Sequence, residues 1–414
     1  MSFQNNKFIR NIAMFLAVMG PGIITASVGN NSSGIATYSL AGADFGYSLL
    51  WAFIPMTLAL IIAQEMCARM AVATGKGLAD LIRENFGVKV TFYLMLILFF
   101  TNLLCLMAEF SGVAASLEIF HISKYFSVPM SAVLVWMLVV KGTYKLVERI
   151  FLVLSFLYIA YIISGFLSHP DWRDVSSQMV FPDFKFRLDS TVMIVGLIGT
   201  TITPWMQFYL QSSIVEKRVK VEEYKHLRLD VTLGCILSDV VAFFIVVACA
   251  ASLFKTGVRI ETVKDAALAL TPLAGKYAGW LFAFGLFNAA IFAVSILPLS
   301  TAYSICEGMG WEEGVDKRFE EAPQFFGLYT AMITIGAGVV LIPNFPLLKM
   351  MYLSQVGNGI LLPVILFFML SLINNPDVMG EYLNNKIFNW ITGLTIFIMI
   401  ILSILMLFLL FFPH

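Results

Sequence analysis

Two short stretches decide how this chain folds: Gly29-Asn30-Asn31-Ser32-Ser33-Gly34 and Gly199-Thr200-Thr201-Ile202-Thr203-Pro204-Trp205-Met206-Gln207. Each lies inside a long apolar run, and each makes a poor helix interior. Proline removes a backbone donor, and Asn, Ser and Thr side chains compete for the backbone's own hydrogen bonds. The first stretch is also preceded by Gly20-Pro21-Gly22. The apolar sequence on either side predicts helix, so both stretches read as helices interrupted in mid-course.

The surroundings of the two breaks are of one kind. Of 414 residues, 59% are hydrophobic and only 13% are charged, where a soluble chain carries about 25% charged residues. The 26 basic residues balance the 26 acidic ones, leaving no excess charge to hold nucleic acid. A bilayer core of about 30 Å is crossed by ~20 apolar residues in helical form. Segments of that kind fall at 12–40, 46–73, 88–118, 127–144, 148–168, 189–215, 229–254, 276–306, 323–343, 347–373 and 389–412. The expected fold is therefore an all-α polytopic membrane protein with 11 transmembrane helices, embedded in the lipid bilayer. The sequence says nothing of oligomeric state.

Interrupted backbone in hydrocarbon is tolerated only where it lines a cavity or is buried in protein. Segments 1 and 6 are the broken ones, five apart, which predicts a 5+5 pair of inverted repeats. The first repeat would occupy 1–168, an extracellular loop 169–188, the second repeat 189–373, and an added eleventh helix 374–414. Five is odd, so the repeats would have opposite topology. A substrate would bind near the membrane midplane, where the breaks face each other.

Basic residues orient the chain. With the N-terminus in the cytoplasm, 17 of the 26 Lys and Arg residues fall on the cytoplasmic side. An odd helix count then puts the C-terminus outside the cell membrane. Residues Lys7 to Gly29 have the outline of a signal peptide, but ten further spans favour an uncleaved first helix. Cys67, Cys105, Cys235, Cys249 and Cys306 are isolated in apolar stretches and read as buried structural thiols.

At the two breaks the chain resembles the NRAMP family of divalent-metal transporters. Gly20-Pro21-Gly22-Ile23-Ile24, Gly34-Ile35-Ala36-Thr37 and Ala41-Gly42-Ala43-Asp44-Phe45-Gly46-Tyr47-Ser48-Leu49-Leu50-Trp51 look like that family's first helix and turn. Leu353-Ser354-Gln355-Val356, continuing to Leu362-Pro363, looks like its tenth helix. The resemblance implies a LeuT-like fold and a metal site between helices 1 and 6. Where the family typically reads Asp-Pro-Gly-Asn, this chain has Asn31-Ser32-Ser33-Gly34, and where it reads Met-Pro-His, this chain has Thr203-Pro204-Trp205. The second motif is closer to the NRAMP-related magnesium transporters, although those usually keep acidic residues in the first break.

The residues at the breaks set the chemistry. Asn30, Asn31, Gly34, Thr200, Thr203, Trp205, Gln207 and Gln355 are the candidate substrate-binding set, with Asn31 and Thr203 as candidate metal contacts. Their side chains offer oxygen and no charge. Oxygen donors suit a hard cation, and a site without carboxylate suits one that keeps its water, which favours Mg²⁺ over Mn²⁺. The same donors, with two half-helix N-termini, also suit the carboxylate of a small organic acid or amino acid, with Trp205 against its apolar part.

Ionisable residues inside spans carry functional weight. Glu109 and Asp239 are the candidates for a cation pathway. The resemblance matches Glu109 to an acidic position of the family's third helix, but a second acidic position is Leu106 here. Residues 323–343 hold no basic residue where the family places arginines, and the four histidines lie near loops or the terminus. Transport with weak or no proton coupling is expected. Glu65 and Arg69, four apart on one helix face, read as a structural pair. Met206 adjoins the second break. No nucleophile–base pair, metal-hydrolase motif or phosphate-binding loop appears, so no enzyme activity, ATP-driven step or cofactor is expected.

Overall fold

The computed structural model describes residues 21–141, 159–183, 187–257, 259–271 and 275–411. Within these the chain is helical throughout. The first interrupted run forms α1 (Pro21–Gly29) and α2 (Ser32–Phe45), with Asn30 and Asn31 between them. Gly46, with φ of 58°, ends α2, a backbone that favours glycine. Next come α3 (Phe53–Thr74), α4 (Leu78–Phe86), α5 (Val88–Glu118) and α6 (Lys124–Lys141). α7 (Ile159–Leu167) and α8 (Trp172–Val180) follow. The second interrupted run gives α9 (Leu188–Thr201) and α10 (Pro204–Glu216). The longer helices of the remainder are α11 (Tyr224–Ser252), α12 (Ala278–Met309), α13 (Pro323–Val340), α14 (Leu347–Ile373) and α15 (Lys386–Phe411).

Eight described helical runs are long and apolar enough to cross a membrane, counting α9 and α10 as one. That is fewer than the 11 expected, because three predicted segments are shorter among the described residues. The first appears as the two halves α1 and α2, the fourth as α6, and the fifth as the nine residues of α7. The predicted seam with Glu148 and Arg149 lies outside the described residues. Two expected loops contain helix instead: α4 lies between segments 2 and 3, and α8 lies within 169–188. α4 buries Leu78, Ala79, Leu81 and Ile82 while presenting charge on its other face, and at nine residues it is too short for the membrane-length pattern that guided the reading.

The lipid-facing surface follows helical spacing. On α5, Phe92, Leu96, Phe100 and Leu104 recur every four residues and all are exposed, a stripe expected to meet acyl chains. α15 presents Ile387, Trp390, Leu394, Phe397 and Ile401 outward in the same manner. The broken helices lie inside this shell, and residues Ser32 to Ser39 of α2 and Thr200 to Ser213 are buried. All five cysteines are free and buried. Glu65 and Arg69 form the expected pair at 3.1 Å on α3. The Tyr224 hydroxyl donates to Glu65, and Arg69 donates to Asn384 Oδ1 at 2.6 Å, tying the start of α11 and the segment before α15 to α3.

Candidate functional site

The break in the first helix is held by side chains on both sides. Asn31 is the N-cap of α2, and its Oδ1 accepts the Gly34 N–H at 2.7 Å. The next two donors go to α5. Glu109 accepts from Ser32 N and Oγ at 3.0 and 2.7 Å, and from Ser33 N and Oγ at 3.3 and 2.5 Å. The N–H groups of Ser32, Ser33 and Gly34, orphaned by the break, are thus all satisfied by protein. One turn beyond Glu109, Gly112 lets α5 approach: a Cβ there would collide with Ser32 Oγ.

On the other side α1 is sewn to α11. Asn30 Nδ2 donates to the backbone oxygen and the hydroxyl of Ser238, both at 3.0 Å. Ser238 Oγ donates to Ala26 O at 2.8 Å, and Gly22 N donates to Asp230 Oδ2 at 2.7 Å. Asn30 Oδ1 is buried without a hydrogen-bond partner among the described residues, as is Asp239 Oδ2 on α11.

The second break leaves Ile202 and Thr203 outside helix, with Pro204 at the first turn of α10. Thr200 Oγ1, Thr203 Oγ1 and Trp205 Nε1 are buried and lack a well-formed hydrogen bond among the described residues. The Tyr38 hydroxyl pairs with Thr201 Oγ1 at 3.0 Å. The two breaks meet at Gly34. A Cβ on that residue would lie 2.8 Å from the Gly29 carbonyl oxygen, 2.8 Å from Thr200 Oγ1 and 3.1 Å from Asn31 Oδ1. Three oxygens from the two broken helices therefore converge on one small volume that only glycine leaves open. Met206 is close as well, its Cε and Sδ 3.6 and 3.9 Å from where a Cβ on Gly29 would stand.

The expected set of site residues thus separates into two groups. Asn30, Asn31, Gly34, Thr200 and Thr203 lie at the breaks with Trp205, which is fully buried, its carbonyl accepting from Ser300 Oγ at 3.1 Å. Gln207 faces α3, where its Oε1 accepts from Gln64 Nε2 at 3.3 Å and Cys67 Sγ at 3.4 Å. Gln355 accepts from Asn358 Nδ2 at 3.0 Å and donates to Ser354 Oγ at 3.3 Å. Its backbone oxygen is what a Cβ on Gly199 would strike, so this part of α14 seats α9. Ser238 belongs to the break and went unread, because nothing local to it signals a partner 208 residues away.

The electrostatics of the junction favour positive charge. The Gly29 carbonyl at the end of α1 faces it, α9 ends beside it at Thr201, and helix C-termini carry partial negative charge. The N-terminal donors of α2 are occupied. At α10, Pro204 has no N–H and the Met206 N–H bonds the Thr203 carbonyl at 3.2 Å.

The family model for natural resistance-associated macrophage protein-like (Nramp) proteins matches residues 22–409, both breaks included. The chain belongs to the Nramp family. It is 25% identical to the divalent metal cation transporter MntH of Caldanaerobacter subterraneus subsp. tengcongensis, over 89% of this chain and 87% of that protein. It is 26% identical to MntH of Erwinia tasmaniensis, over 97% of this chain and 95% of that one. In fold it resembles the Eremococcus coleocola manganese transporter, with a TM-score of 0.78 at 21% identity over 99% of this chain and 88% of that chain. A more distant likeness, TM-score 0.58 at 15% identity, is to Mhp1, a nucleobase-cation-symport-1 family transporter; it covers 94% of this chain and 91% of that one. This Nramp chain is accordingly a multi-pass membrane protein of transporter rather than enzyme ancestry.

Proposed function

We propose that this Nramp chain carries a divalent metal cation across the membrane through the junction of its two broken helices. The observation that carries the reading is the meeting of the Gly29 carbonyl, Asn31 Oδ1 and Thr200 Oγ1 around Gly34. Two helix C-termini and uncharged oxygens make a place for a cation, and its relatives are named for divalent metal or manganese transport. The 5+5 inverted repeat expected from the sequence fits two breaks that face each other.

Neither break contains an acidic residue of its own, and Glu109 is spent on Ser32 and Ser33. Stripping a divalent ion of its water without such a charge is costly, so the ion passes largely hydrated. That favours Mg²⁺, which dehydrates reluctantly. Mn²⁺ is the competitor, supported by the relatives and by the Met206 thioether beside Gly29, a softer donor. Proton coupling is weak or absent on this reading, because Glu109 is tied down and α13 has no basic residue. We take the movement to be entry into the cell, with the N-terminus inside as the distribution of basic residues favours.

The organic-acid alternative fares worse. It needs free N–H donors at the half-helix N-termini, and those of α2 are already bonded to Glu109 and Asn31.

Purified protein in liposomes loaded with Mg²⁺- or Mn²⁺-sensitive dye, with a pH dye in parallel, tests the proposal. Saturable entry of either ion, with less than one proton per ion, is expected. Failure of both ions to enter, together with binding heat for a small carboxylate, would overturn it.

A further inference from the structure

A polar cavity of about 320 Å³ opens where α3, α10 and α12 end, lined in part by Gly77, Ser212, Asp80, Glu216, Glu307 and Glu313. It is separate from the helix breaks, because Ser212 lies eight residues along α10 from Pro204, a helical rise of roughly 12 Å. Asp316 lines it too, against the bases Lys76, Arg218 and Lys317. Two of those bases are turned to carboxylates outside the lining: Lys76 pairs with Glu84 at 2.7 Å, and Lys317 pairs with Glu312. The cavity is therefore lined by more acidic than basic side chains.

Some of its carboxyls have a structural task. Asp80 accepts from Arg83 at 2.9 Å, and Glu216 accepts from the Tyr303 hydroxyl at 2.7 Å. Glu307 accepts from the Ser212 hydroxyl through Oε1 and meets the N-terminus of α4, where a Cβ on Gly77 would strike its carboxyl. The Ala79 N–H, in the first turn of α4, also acts on this carboxyl, yet its other oxygen, Oε2, lacks a well-formed hydrogen bond among the described residues, although Glu307 is only 4% exposed. Glu313 Oε2, from the segment after α12, is unpartnered as well. Such buried acceptors are costly unless something donates to them.

Among the described residues no three acidic, His or Cys side chains stand close enough to enclose a bare metal ion. The cavity is, however, roomy for water, at about 30 Å³ per molecule. An ion that keeps its water shell donates hydrogen bonds through that shell and supplies the missing positive charge.

We propose that this cavity is a second cation site, holding a hydrated divalent ion by outer-sphere contacts to Glu307 and Glu313. The inference stands on the cavity's own carboxyls and holds whatever the helix breaks transport. It also accounts for the Glu313 carboxyl, which burial, with Glu307, Asp80 and Glu216 beside it, pushes well above the usual carboxylate range. A bound cation relieves that repulsion. The rival arrangement is a proton shared between Glu307 and Glu313 in place of the ion.

The test titrates the purified full chain with Mn²⁺ and reads free ion from its six-line paramagnetic resonance signal. Glu307→Gln with Glu313→Gln is expected to weaken one class of bound Mn²⁺ by about tenfold or more, and Asn31→Ala with Thr203→Ala to leave that class intact. Excess Mg²⁺ should displace it. Glu313→Gln alone, in a partly exposed segment, serves if the double variant fails to fold. A nitroxide on Lys317→Cys gives an independent reading, since the native cysteines are buried, and Mn²⁺ should broaden it. Unchanged Mn²⁺ binding in the folded Gln variants, or an unbroadened nitroxide at millimolar Mn²⁺, overturns the site in favour of the shared proton. Loss confined to the Asn31 and Thr203 variant does the same while leaving the transport reading intact.

Discussion

Glu109 accepts both the backbone N–H and the hydroxyl of Ser32, at 3.0 and 2.7 Å, from a helix 77 residues further along the chain. With the matching pair from Ser33, it closes the open end of α2 from outside. A membrane-buried carboxyl that the sequence offers as a pathway charge thus has a mechanical duty.

Removing that duty should unsettle the first break. Hydrogen bonds to charged groups contribute about 1.5–3 kcal/mol each, and Glu109→Ala abandons four buried donors. We expect a thermal unfolding midpoint several degrees lower and loss of uptake. Glu109→Gln, which keeps an acceptor, should fall between. Wild-type stability and uptake in the alanine variant would show that the brace is dispensable.

The seat of α9 on α14 depends on two glycines. A Cβ on Gly199 would strike the Gln355 carbonyl and Gly359, whereas a Cβ on Gly357 would meet nothing within 4 Å. Overpacking of this sort costs about 1–3 kcal/mol. Gly199→Ala is expected to lower the unfolding midpoint and reduce uptake, with Gly357→Ala as the silent control on the same helix pair. Equal behaviour of the two in a melting assay would contradict the packing described.

Asn31→Asp is the structurally permissive change at the junction. Aspartate caps a helix as well as asparagine does, so the Gly34 bond survives, while the new carboxyl, as buried as Asn31 is, should lower stability when no cation is bound. The added charge beside Thr200 and the Gly29 carbonyl should tighten divalent binding by about tenfold, a gain of ~1.4 kcal/mol. Titration calorimetry with Mn²⁺ and Mg²⁺ measures it. No gain for either ion would remove Asn31 from the ion's path.

The raised Glu313 carboxyl predicts a pH dependence of stability. In buffer free of divalent cations, above the ordinary carboxylate range, the unfolded chain has lost this proton while the folded chain, buried beside Glu307, Asp80, Glu216 and Lys317, retains it. The folded state binds more protons there, so stability falls as pH rises, until the pH passes the raised folded value. Glu313→Gln should flatten that decline between pH 5 and pH 9. Parallel melting profiles for the two proteins would rule the assignment out.

Much of the fold was legible in the chain because its signals are local and long. Apolar runs predict spans, and both breaks fall where Asn30–Asn31 and Ile202–Thr203 leave helix. The shorter helices α4 and α8 were not legible, being too brief for a membrane-length signal. The site was only half legible. Residue type placed Asn31, Gly34 and Thr200 together, but it could not say that Gln207 turns to Gln64, or that Asn30 reaches Ser238. Those bonds join segments 143 and 208 residues apart, and sequence spacing carries no information at that range.

The severed helices also have a kinematic meaning. α1 is bonded to α11 through Asn30 and Ser238, while α2 is bonded to α5 through Glu109. α9 is seated on α14 at Gly199, while α10 is linked to α3 through Gln207. α2 leans on α11 as well, where a Cβ on Gly42 would strike the Val246 carbonyl, so the two halves of the first helix share one partner, and among the described residues the last helical bond before the second gap runs from Ile202 N to Ile198 O at 2.8 Å. Each interruption lets one half take a hydrogen-bonded fastening of its own, Asn30 on Ser238 and Ser32 on Glu109, where an unbroken helix would fix a single axis for both.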